Sequence, residues 1–424
     1  MAELQAFWTD WSHRSVGLPV LQWSLLLALA SAAGYLTQRY LGLPKLIGYA
    51  AVGTVVGLIG FPGAAWPLRG VGLFLLELGI AVVLFEAGAR IPLRWFRHNP
   101  MVLVQSLVES LATFAAVFAL LHSMDVQASV ARPLAVIAVA ASPSVLTRLV
   151  RDMRASGPVT ERAIVLSTLN TLYALAVGTA MARTMMLPRE GQSDGTVYAV
   201  LTVLGLSLLV AALITLVTRA ALLVMNPTSE NTSILLLALI AAGAALADQL
   251  GGSAALSALL AGLMLKQIHP RPWTGTRQLG TAASLLIMLM FVLVSTVAAQ
   301  ADWGTAVAGL ALALVGARFL AKVIGLALAS FGSGMRMRQA FWVGCAMAPM
   351  SAVALLLTSQ FASVSPTSGM AAADIALPAI LVTEVLGAVI ATYALFQAGE
   401  GNKPLSSNPA VIRDSRPADL EKLS

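Results

Sequence analysis

Charged residues and cysteines are scarce in this chain. Only 11% of its 424 residues are Asp, Glu, Lys or Arg, whereas 58% are hydrophobic. A soluble protein of this length needs more charge on its surface, so the composition excludes that class and indicates a membrane protein. The single cysteine, Cys345, lies inside an apolar segment, which excludes a disulfide within one chain and a metal site built from cysteines.

Thirteen apolar segments, separated by short polar loops, occupy the chain from Leu18 to Phe396. About 20 apolar residues cross a hydrocarbon core about 30 Å thick, and the segments meet that length or fall slightly short. The sequence therefore predicts an all-α polytopic membrane protein with about thirteen transmembrane helices. The segments are 18–38, 46–61, 71–89, 100–122, 131–147, 163–186, 196–218, 233–249, 252–267, 280–300, 304–330, 339–360 and 371–397.

Arginines and lysines alternate from one side of the predicted membrane to the other. The odd-numbered connections hold Arg39, Lys45, Arg90, Arg94, Arg97, Arg148, Arg151, Arg154, Arg162, Arg219, Lys266, Arg271, Arg277, Arg336 and Arg338. The even-numbered connections hold only Arg69, Arg132, Arg183 and Arg189. Because basic loops resist translocation, we predict a plasma-membrane (inner-membrane) protein with its N-terminus outside and its C-terminus in the cytoplasm. Most of the surplus positive charge behind the net charge of +7 lies in loops beside helices, where it sets orientation and contacts anionic headgroups, so it does not indicate nucleic-acid binding.

The two ends differ in composition from the membrane domain, which we place at 18–398. Residues 1–17 have no basic start followed by a cleavage site, so they are interpreted as an extracytoplasmic lead-in and not as a signal peptide. Residues 399–424 are polar and contain Pro and Ser, which predicts a disordered cytoplasmic tail.

Two similar segments indicate an internal repeat. Pro143 in AVAASPSVL and Pro349 in GCAMAPMSAVAL each follow small residues inside an apolar span and lie 206 residues apart (349 − 143); Ser351 follows the second proline. The two prolines lie in the fifth and twelfth segments, which are seven segments apart. Because seven is odd, the second copy must enter the membrane from the opposite face. This is the arithmetic of an inverted repeat, which is common in secondary transporters. We predict repeats at about 46–186 and 252–397.

A proline between small residues in mid-membrane interrupts a helix and frees backbone groups, which is acceptable only beside a protein-lined cavity. Two such broken helices are predicted to cross near the midplane. Their half-ends would offer partial charges of both signs to an ion. A simple kink at each proline is the alternative.

Ionisable residues inside spans are functional candidates because burying each one in a bilayer costs at least a few kcal/mol. Arg318 and Lys322 lie on one face of the eleventh segment, four residues apart. The acids at depth are Glu77, Glu86, Glu109, Asp248 and Glu384. Several have simpler explanations: Glu86 can pair with Arg90 one turn away at the membrane edge, and Lys322 can extend toward the surface.

Five motifs in order resemble the monovalent cation:proton antiporter superfamily over about residues 20–396. They are LGLPKLIGYAAVGTVVGLIG at 41–60, ELGIAVVLFEAGARIPL at 77–93, SPSVLTRLVRDMRASGPVT at 142–160, GGSAALSALLAGLMLK at 251–266 and GCAMAPMSAVALL at 344–356. The resemblance implies a thirteen-helix inverted-repeat fold with a dimerisation domain and a core domain. It also implies a homodimer that works by an elevator movement of the core.

The chain departs from the superfamily pattern at two positions. Members usually carry an Asn-Asp or Asp-Asp pair on the sixth span, where this chain has Asn170 and Thr171. The exchanger branch often has Thr-Asp-Pro at the first broken helix, where this chain has Ala141, Ser142 and Pro143. The glutamate of the LFEAG motif, here Glu86, is retained, as is a basic residue on the late span, either Arg318 or Lys322. No Gly-rich fingerprint follows residue 399, so gating by a nucleotide is not expected.

The leading hypothesis is exchange of sodium or potassium for protons. Glu86 or Glu384 would replace the missing aspartate as proton carrier, Ser142, Asn170 and Thr171 would be neutral oxygen ligands, and Arg318 would hold the empty state by ion pairing. The predicted ion and proton pathway consists of Ser142, Pro143, Asn170, Thr171, Glu86, Arg318, Lys322, Pro349, Ser351 and Glu384.

Two other hypotheses stay open. The first is a uniporter or channel-like protein without proton coupling, in which Arg318 and Lys322 attract the transported ion, for example an anion. The second is a non-transporting paralogue that serves as a membrane scaffold. The sequence contains no metal-ligand spacing, nucleophile elbow or phosphate loop, so we expect no enzyme, no cofactor and no metal site.

Overall fold

The computed structural model describes most of the predicted membrane domain. Ser351, most of the predicted lead-in and most of the predicted tail lie outside the described residues. The described residues are 14–60, 70–91, 93–186, 195–226, 229–268, 277–301, 303–330, 333–350 and 352–401.

Helices form this part of the chain, and the described ranges contain no strand. A π-helical turn, Thr37–Leu41, continues the first helix. In chain order the α-helices are α1 Arg14–Leu36, α2 Lys45–Leu58, α3 Gly70–Gly88, α4 Leu93–His98, α5 Met101–Ser123, α6 Ala128–Val139, α7 Pro143–Met153, α8 Pro158–Met186, α9 Gly195–Val224, α10 Glu230–Leu250, α11 Ala254–Ile268, α12 Arg277–Ala299, α13 Thr305–Leu328, α14 Met337–Ala346, α15 Ala352–Val364 and α16 Ser368–Gln397.

The helices agree with the apolar segments read from the sequence. Each predicted segment overlaps one helix, except that the fifth overlaps α6 and α7 and the twelfth overlaps α14 and α15. Within the described residues, seven spans are long and apolar enough to cross a membrane, and four shorter apolar helices of 10–17 residues accompany them. The all-helical membrane architecture is confirmed, whereas the number of thirteen spans stays a prediction.

Both predicted helix breaks are present. The first separates α6, which ends at Val139, from α7, which begins at Pro143. Proline is tolerated at the first position of a helix because it has no N–H to leave unpaired, and the hydroxyl of Ser142 accepts a hydrogen bond from the N–H of Val145 as an N-cap. The second break separates α14 from α15 and contains Pro349.

The helix order recurs along the chain. An offset of 206 residues carries α2 and α3 onto α11 and α12, α5 onto α13, α6 and α7 onto α14 and α15, and α8 onto α16. The packing is reciprocal, since α2 packs against α12 and α3 against α11. Small residues allow these close approaches: a Cβ added at Gly53 would collide with the backbone of Val292, and one at Gly262 with the backbone of Phe85.

The packing of α5 against α13 positions the site. Gly325 of α13 lies directly on the backbone of Glu109, where an added Cβ would be 2.9 Å from the Cα of Glu109. The absence of a side chain at Gly325 lets the two helices approach closely. Residues one turn earlier on α13, including Lys322, therefore reach the buried face of α5.

Candidate functional site

One face of α5 carries a buried polar stripe. The stripe consists of five buried residues, each with at most 5% of its surface exposed: Gln105, Ser106, Glu109, Ser110 and Thr113. Their spacing of three to four residues places them on one side of the helix. A polar stripe enclosed by an apolar bundle has to be satisfied by side chains of neighbouring helices.

Glu109 and Lys322 form an ion pair in the centre of this stripe. The Nζ of Lys322 lies 2.7 Å from Oε1 of Glu109, and both side chains are completely buried. Thr113 donates to the same oxygen at 3.0 Å, and the amide nitrogen of Asn170 donates to Oε2 at 2.5 Å. The carboxylate thus receives three donors, which a buried charge requires.

Asn170 is held in one orientation by two serines of α5. Its Oδ1 accepts hydrogen bonds from Ser110 at 3.0 Å and from Ser106 at 3.4 Å. Because the amide oxygen faces these hydroxyls, the amide nitrogen is directed at Glu109. Lys322, Glu109, Thr113, Asn170 and Ser110 therefore belong to one hydrogen-bonded network, in which Glu109 is the side chain that contacts Lys322.

Thr171 connects α8 to the first break. Its hydroxyl lies 2.8 Å from the carbonyl oxygen of Ala141 and 2.8 Å from that of Ser167, one turn earlier on α8. The hydroxyl satisfies a carbonyl that the interruption of α6 leaves without a helical partner. Asn170 and Thr171 consequently face different partners: the first contacts α5, and the second contacts the break.

Arg318 joins the two breaks. Its guanidinium is buried and donates to carbonyl groups on both interrupted helices, so a single side chain holds both unwound segments together. Arginine suits this position because its five donors are arranged in a rigid plane. The acceptors are the carbonyls of Ala138 at 2.9 Å, Ala140 at 2.9 Å, Ala348 at 2.5 Å, Pro349 at 3.3 Å and Met347 at 3.4 Å.

The contacts of Arg318 and Lys322, the two basic residues of α13, differ from those expected from the sequence. Among the described residues, no carboxylate oxygen lies within 4.0 Å of the Arg318 guanidinium, so carbonyls and not an acid hold this side chain. Lys322, which could have extended to the surface, is completely buried and is the residue that pairs with an acid. It also lies 3.4 Å from the carbonyl of Val139 at the end of α6.

Glu86 lies at the end of α3 and pairs with two arginines. Its Oε1 is 2.6 Å from Nη2 of Arg90 and 3.0 Å from Nη2 of Arg151, and 28% of its side chain is exposed. The pairing with Arg90 is the simpler explanation that the sequence allowed. Glu86 also lines a cavity with Ser144 and Thr147 near the start of α7.

Glu384 is deeply buried, as its position in the last span predicted. Its residue surface is 3% exposed, and its Oε2 accepts a hydrogen bond from Ser295 of α12 at 3.4 Å. This hydrogen bond lies between α12 and α16 and is separate from the network around Glu109. The structure therefore brings Lys322, Arg318 and Thr171 to the two breaks, which contain or adjoin Ser142, Pro143 and Pro349. Asn170 contacts Glu109 on α5, and Glu86 and Glu384 make other contacts.

Glu109 is the residue missing from the predicted pathway, although it was among the acids noted at depth. A signal was present in the sequence: Gln105, Ser106, Ser110 and Thr113 surround it at helical spacing inside an otherwise apolar span. A polar stripe of this kind favours a buried interaction with a neighbouring helix over exposure to lipid.

Two helices broken at mid-length, joined by one arginine and lying beside a buried acid–lysine pair, define a class of ion-translocating secondary transporter. The family comparison agrees. The family model "Sodium/hydrogen exchanger, transmembrane" matches residues 25–398, and the chain belongs to this family of integral membrane antiporters.

Solved structures have the same fold. Two structures of the sodium proton antiporter MjNhaP1 from Methanocaldococcus jannaschii align with the chain. The structure determined at pH 8 has a TM-score of 0.71 at 16% identity and covers 90% of this chain and 99% of its own. The electron-microscopy structure has a TM-score of 0.73 at 15% identity and covers 91% and 99%. No curated protein sequence matches the chain.

Proposed function

We propose that this protein exchanges a monovalent cation, sodium or potassium, for a proton, and that the Glu109–Lys322 pair performs the exchange. One observation carries the proposal: of the ion pairs among the described residues, this pair alone has both side chains fully buried. It also lies beside Asn170 and the carbonyl of Val139, next to the first helix break. In membrane interiors such residues mark ion pathways.

The proposed exchange replaces one positive partner of Glu109 by another. A cation that reaches the carboxylate takes the place of the Lys322 ammonium group, which then gives up one proton to water and becomes neutral. The hydroxyl of Thr113 at the carboxylate and those of Ser106 and Ser110 at the neighbouring Asn170 supply uncharged oxygen atoms nearby, and hard cations prefer oxygen ligands. When the cation leaves, Lys322 regains a proton and pairs with Glu109 again.

Charge balance supports the coupling of the two ions. The site is neutral with Glu109 and protonated Lys322, and it is again neutral with Glu109, the cation and neutral Lys322. With neither ion bound, Glu109 would be an unpaired buried charge, which costs several kcal/mol. A movement of the empty site through the low-dielectric interior is therefore disfavoured, and this prevents a leak.

This assignment differs from the one based on sequence, which gave the role of proton carrier to Glu86 or Glu384. Glu86 is partly exposed between Arg90 and Arg151, and Glu384 has no basic partner within 4.0 Å among the described residues. The anion-uniport hypothesis loses support because the donors of Arg318 are directed at five carbonyls.

Topology and assembly belong to the same proposal. We infer a homodimer in the plasma membrane, with the N-terminus outside and the C-terminus in the cytoplasm, and with inverted repeats at about 46–186 and 252–397. The recurrence of helix order at an offset of 206 residues supports the repeats, and the basic loops support the orientation. Reporters fused after Ser424 and inserted near Gln192 test the orientation: the first should be cytoplasmic and the second extracytoplasmic.

The exchange is tested in liposomes that contain the purified protein and a pH-sensitive dye. Pulses of sodium, potassium and lithium are applied in turn, and dye recovery after a pulse reports proton movement coupled to the cation. We expect recovery with the parent and none with Glu109→Gln, which keeps the shape of the side chain and removes its charge.

Glu86→Gln is the matched control because it makes the same chemical change outside the buried pair. It should retain cation-dependent dye recovery. Normal recovery with Glu109→Gln would exclude the proposed exchange, and voltage-dependent flux without a pH change in the parent would favour a uniporter.

A further inference from the structure

Glu384 is the buried acid that the exchange at Glu109 does not use. It lies on α16 where this helix packs against α12, and the hydroxyl of Ser295 donates to its Oε2 at 3.4 Å. Around this contact the interface is apolar and closed, because Ala298, Ala299 and Leu381 form a buried cluster.

Among the described residues, no basic group balances the carboxyl group of Glu384. Glu384 makes no ion pair within 4.0 Å in the described part of the chain. Among the side chains that the structure describes, the other ionisable ones on α16 and on the helices packed against it are Lys45, Tyr49, Arg132, Arg148, Arg151, Asp152, Arg318, Lys322, Arg338, Cys345, Asp374 and Tyr393. Of these, Lys322 is paired with Glu109, and Arg318 is bound to the two breaks.

A buried carboxylate with one long hydroxyl contact and no cation is strongly disfavoured relative to the neutral acid. The closed contact between α12 and α16 therefore accepts Glu384 only with its proton bound. If the proton leaves, the carboxylate needs water, and water can enter only if the two helices separate.

The location connects this contact to the ion site. Gly387, one turn after Glu384, packs directly against the backbone of Ala348 and Pro349 in the second break. The carbonyls of Ala348 and Pro349 bind Arg318. A separation of α16 from α12 would therefore act on the segment that Arg318 holds.

We propose that Glu384 is a proton-binding positioning residue: its neutral form holds the α12–α16 contact closed, and loss of its proton opens that contact and changes the packing of the second break. The inference rests on the proposed exchange for its role in the cycle. It adds to that exchange a proton that controls conformation and is separate from the proton exchanged at Lys322.

The opening of the contact is measured directly by labelling a cysteine with a small membrane-permeant maleimide. Ala298→Cys places the thiol in the α12–α16 cluster, in a Cys345→Ala background. The labelling rate is compared between this protein and the same protein with Glu384→Gln, from mildly acidic to alkaline pH. The Gln variant has the same thiol chemistry and so supplies the baseline at each pH.

We expect the ratio of the two rates to rise with pH by about fivefold or more, the lower end of typical conformational coupling. Ala247→Cys is the control for general loosening of the protein, because Ala247 is also fully buried but lies on α10. The ratio of its two labelling rates should not change with pH. Glu384→Met, a neutral side chain of similar size, is a second variant should Glu384→Gln fail to fold.

A constant ratio at Ala298, or no labelling of the Ala298 cysteine at any pH, would overturn the proposal. The result is independent of transport because labelling needs no ion flux. A loss of cation–proton exchange in Glu109→Gln together with a pH-independent ratio at Ala298 would support the proposed function and reject the role of Glu384. The reverse outcome would reject the exchange and retain the role of Glu384.

Discussion

The guanidinium of Arg318 donates a hydrogen bond to the carbonyl of Ala140 in the first break at 2.9 Å while also donating to Ala348 in the second. One side chain thus satisfies carbonyls from helices that belong to the two halves of the chain. Each of these carbonyls lacks a helical partner because its helix is interrupted, and leaving such a group buried and unpaired costs about 1–3 kcal/mol. Arg318 therefore stabilises the crossing itself.

Arg318→Lys should separate this role from that of a simple positive charge. Lysine keeps the charge but has three donors and no planar guanidinium, so it cannot bond to all five carbonyls. We expect the free energy of unfolding in detergent to fall by about 2 kcal/mol or more, since at least one carbonyl loses its donor. The measurement is thermal or denaturant unfolding of the purified protein. Arg132→Lys, at an exposed position of α6, is the matched control and should leave stability unchanged.

The ion pair of Glu109 and Lys322 should show strong coupling in a double-mutant cycle. Lys322→Met alone leaves Glu109 as an uncompensated buried charge and should destabilise the protein by about 3–5 kcal/mol. The double variant Glu109→Gln with Lys322→Met removes both charges and should recover most of that loss. Unfolding in detergent measures all the variants. Additive effects of the two substitutions would contradict the pairing.

Thr171→Asp restores the Asn-Asp pair that members of the superfamily usually carry. It places a carboxylate next to the first break, where Thr171 now bonds to Ala141. We expect a higher cation-dependent proton flux in liposomes, because a second acid can bind a cation near Glu109. Thr171→Val is isosteric with threonine and loses only the hydroxyl, so it controls for the lost hydrogen bond. An equal flux in both variants would argue against a cation site at this position.

Glu400 should stabilise the start of α8. Its carboxylate oxygens accept hydrogen bonds from the N–H groups of Val159 at 2.8 Å and Thr160 at 2.7 Å. A negative charge at a helix N-terminus also interacts favourably with the helix dipole. Glu400→Gln should therefore lower the free energy of unfolding by about 1 kcal/mol.

Glu161→Gln is the control for the cap. Glu161 is an exposed acid in the first turn of the same helix, and its loss should cost clearly less than that of Glu400. Gly157 provides a second check, because residues with a side chain rarely adopt its φ of +155° and an added Cβ would displace the side chain of Glu400. Gly157→Ala should destabilise the protein, and equal stability of all three variants would exclude the cap.

Much of the architecture was readable from the sequence. The apolar segments predicted the helices, since long apolar runs with polar loops have few other solutions. Pro143 and Pro349 predicted the breaks because proline removes a donor and clashes with the preceding turn. Arg318 and Lys322 were recognisable because two cations on one face of a buried helix require partners.

The partners themselves were not readable. Lys322 could have paired with any of several acids at depth, and the choice of Glu109 depends on the close approach of α5 and α13 at Gly325. The residues Glu109 and Lys322 are 213 positions apart, and helical periodicity relates only residues within one helix. Glu86 matched a family motif, but its contacts with Arg90 and Arg151 follow from where α3 ends.

By itself, the sequence determined that the chain enters the membrane as helices and where two of them break, because these follow from local hydrophobicity and from proline. Only the tertiary structure decided which charges pair and which carbonyls Arg318 satisfies. In a low-dielectric interior each buried charge must find a partner within a few ångströms, and helix packing alone sets those distances.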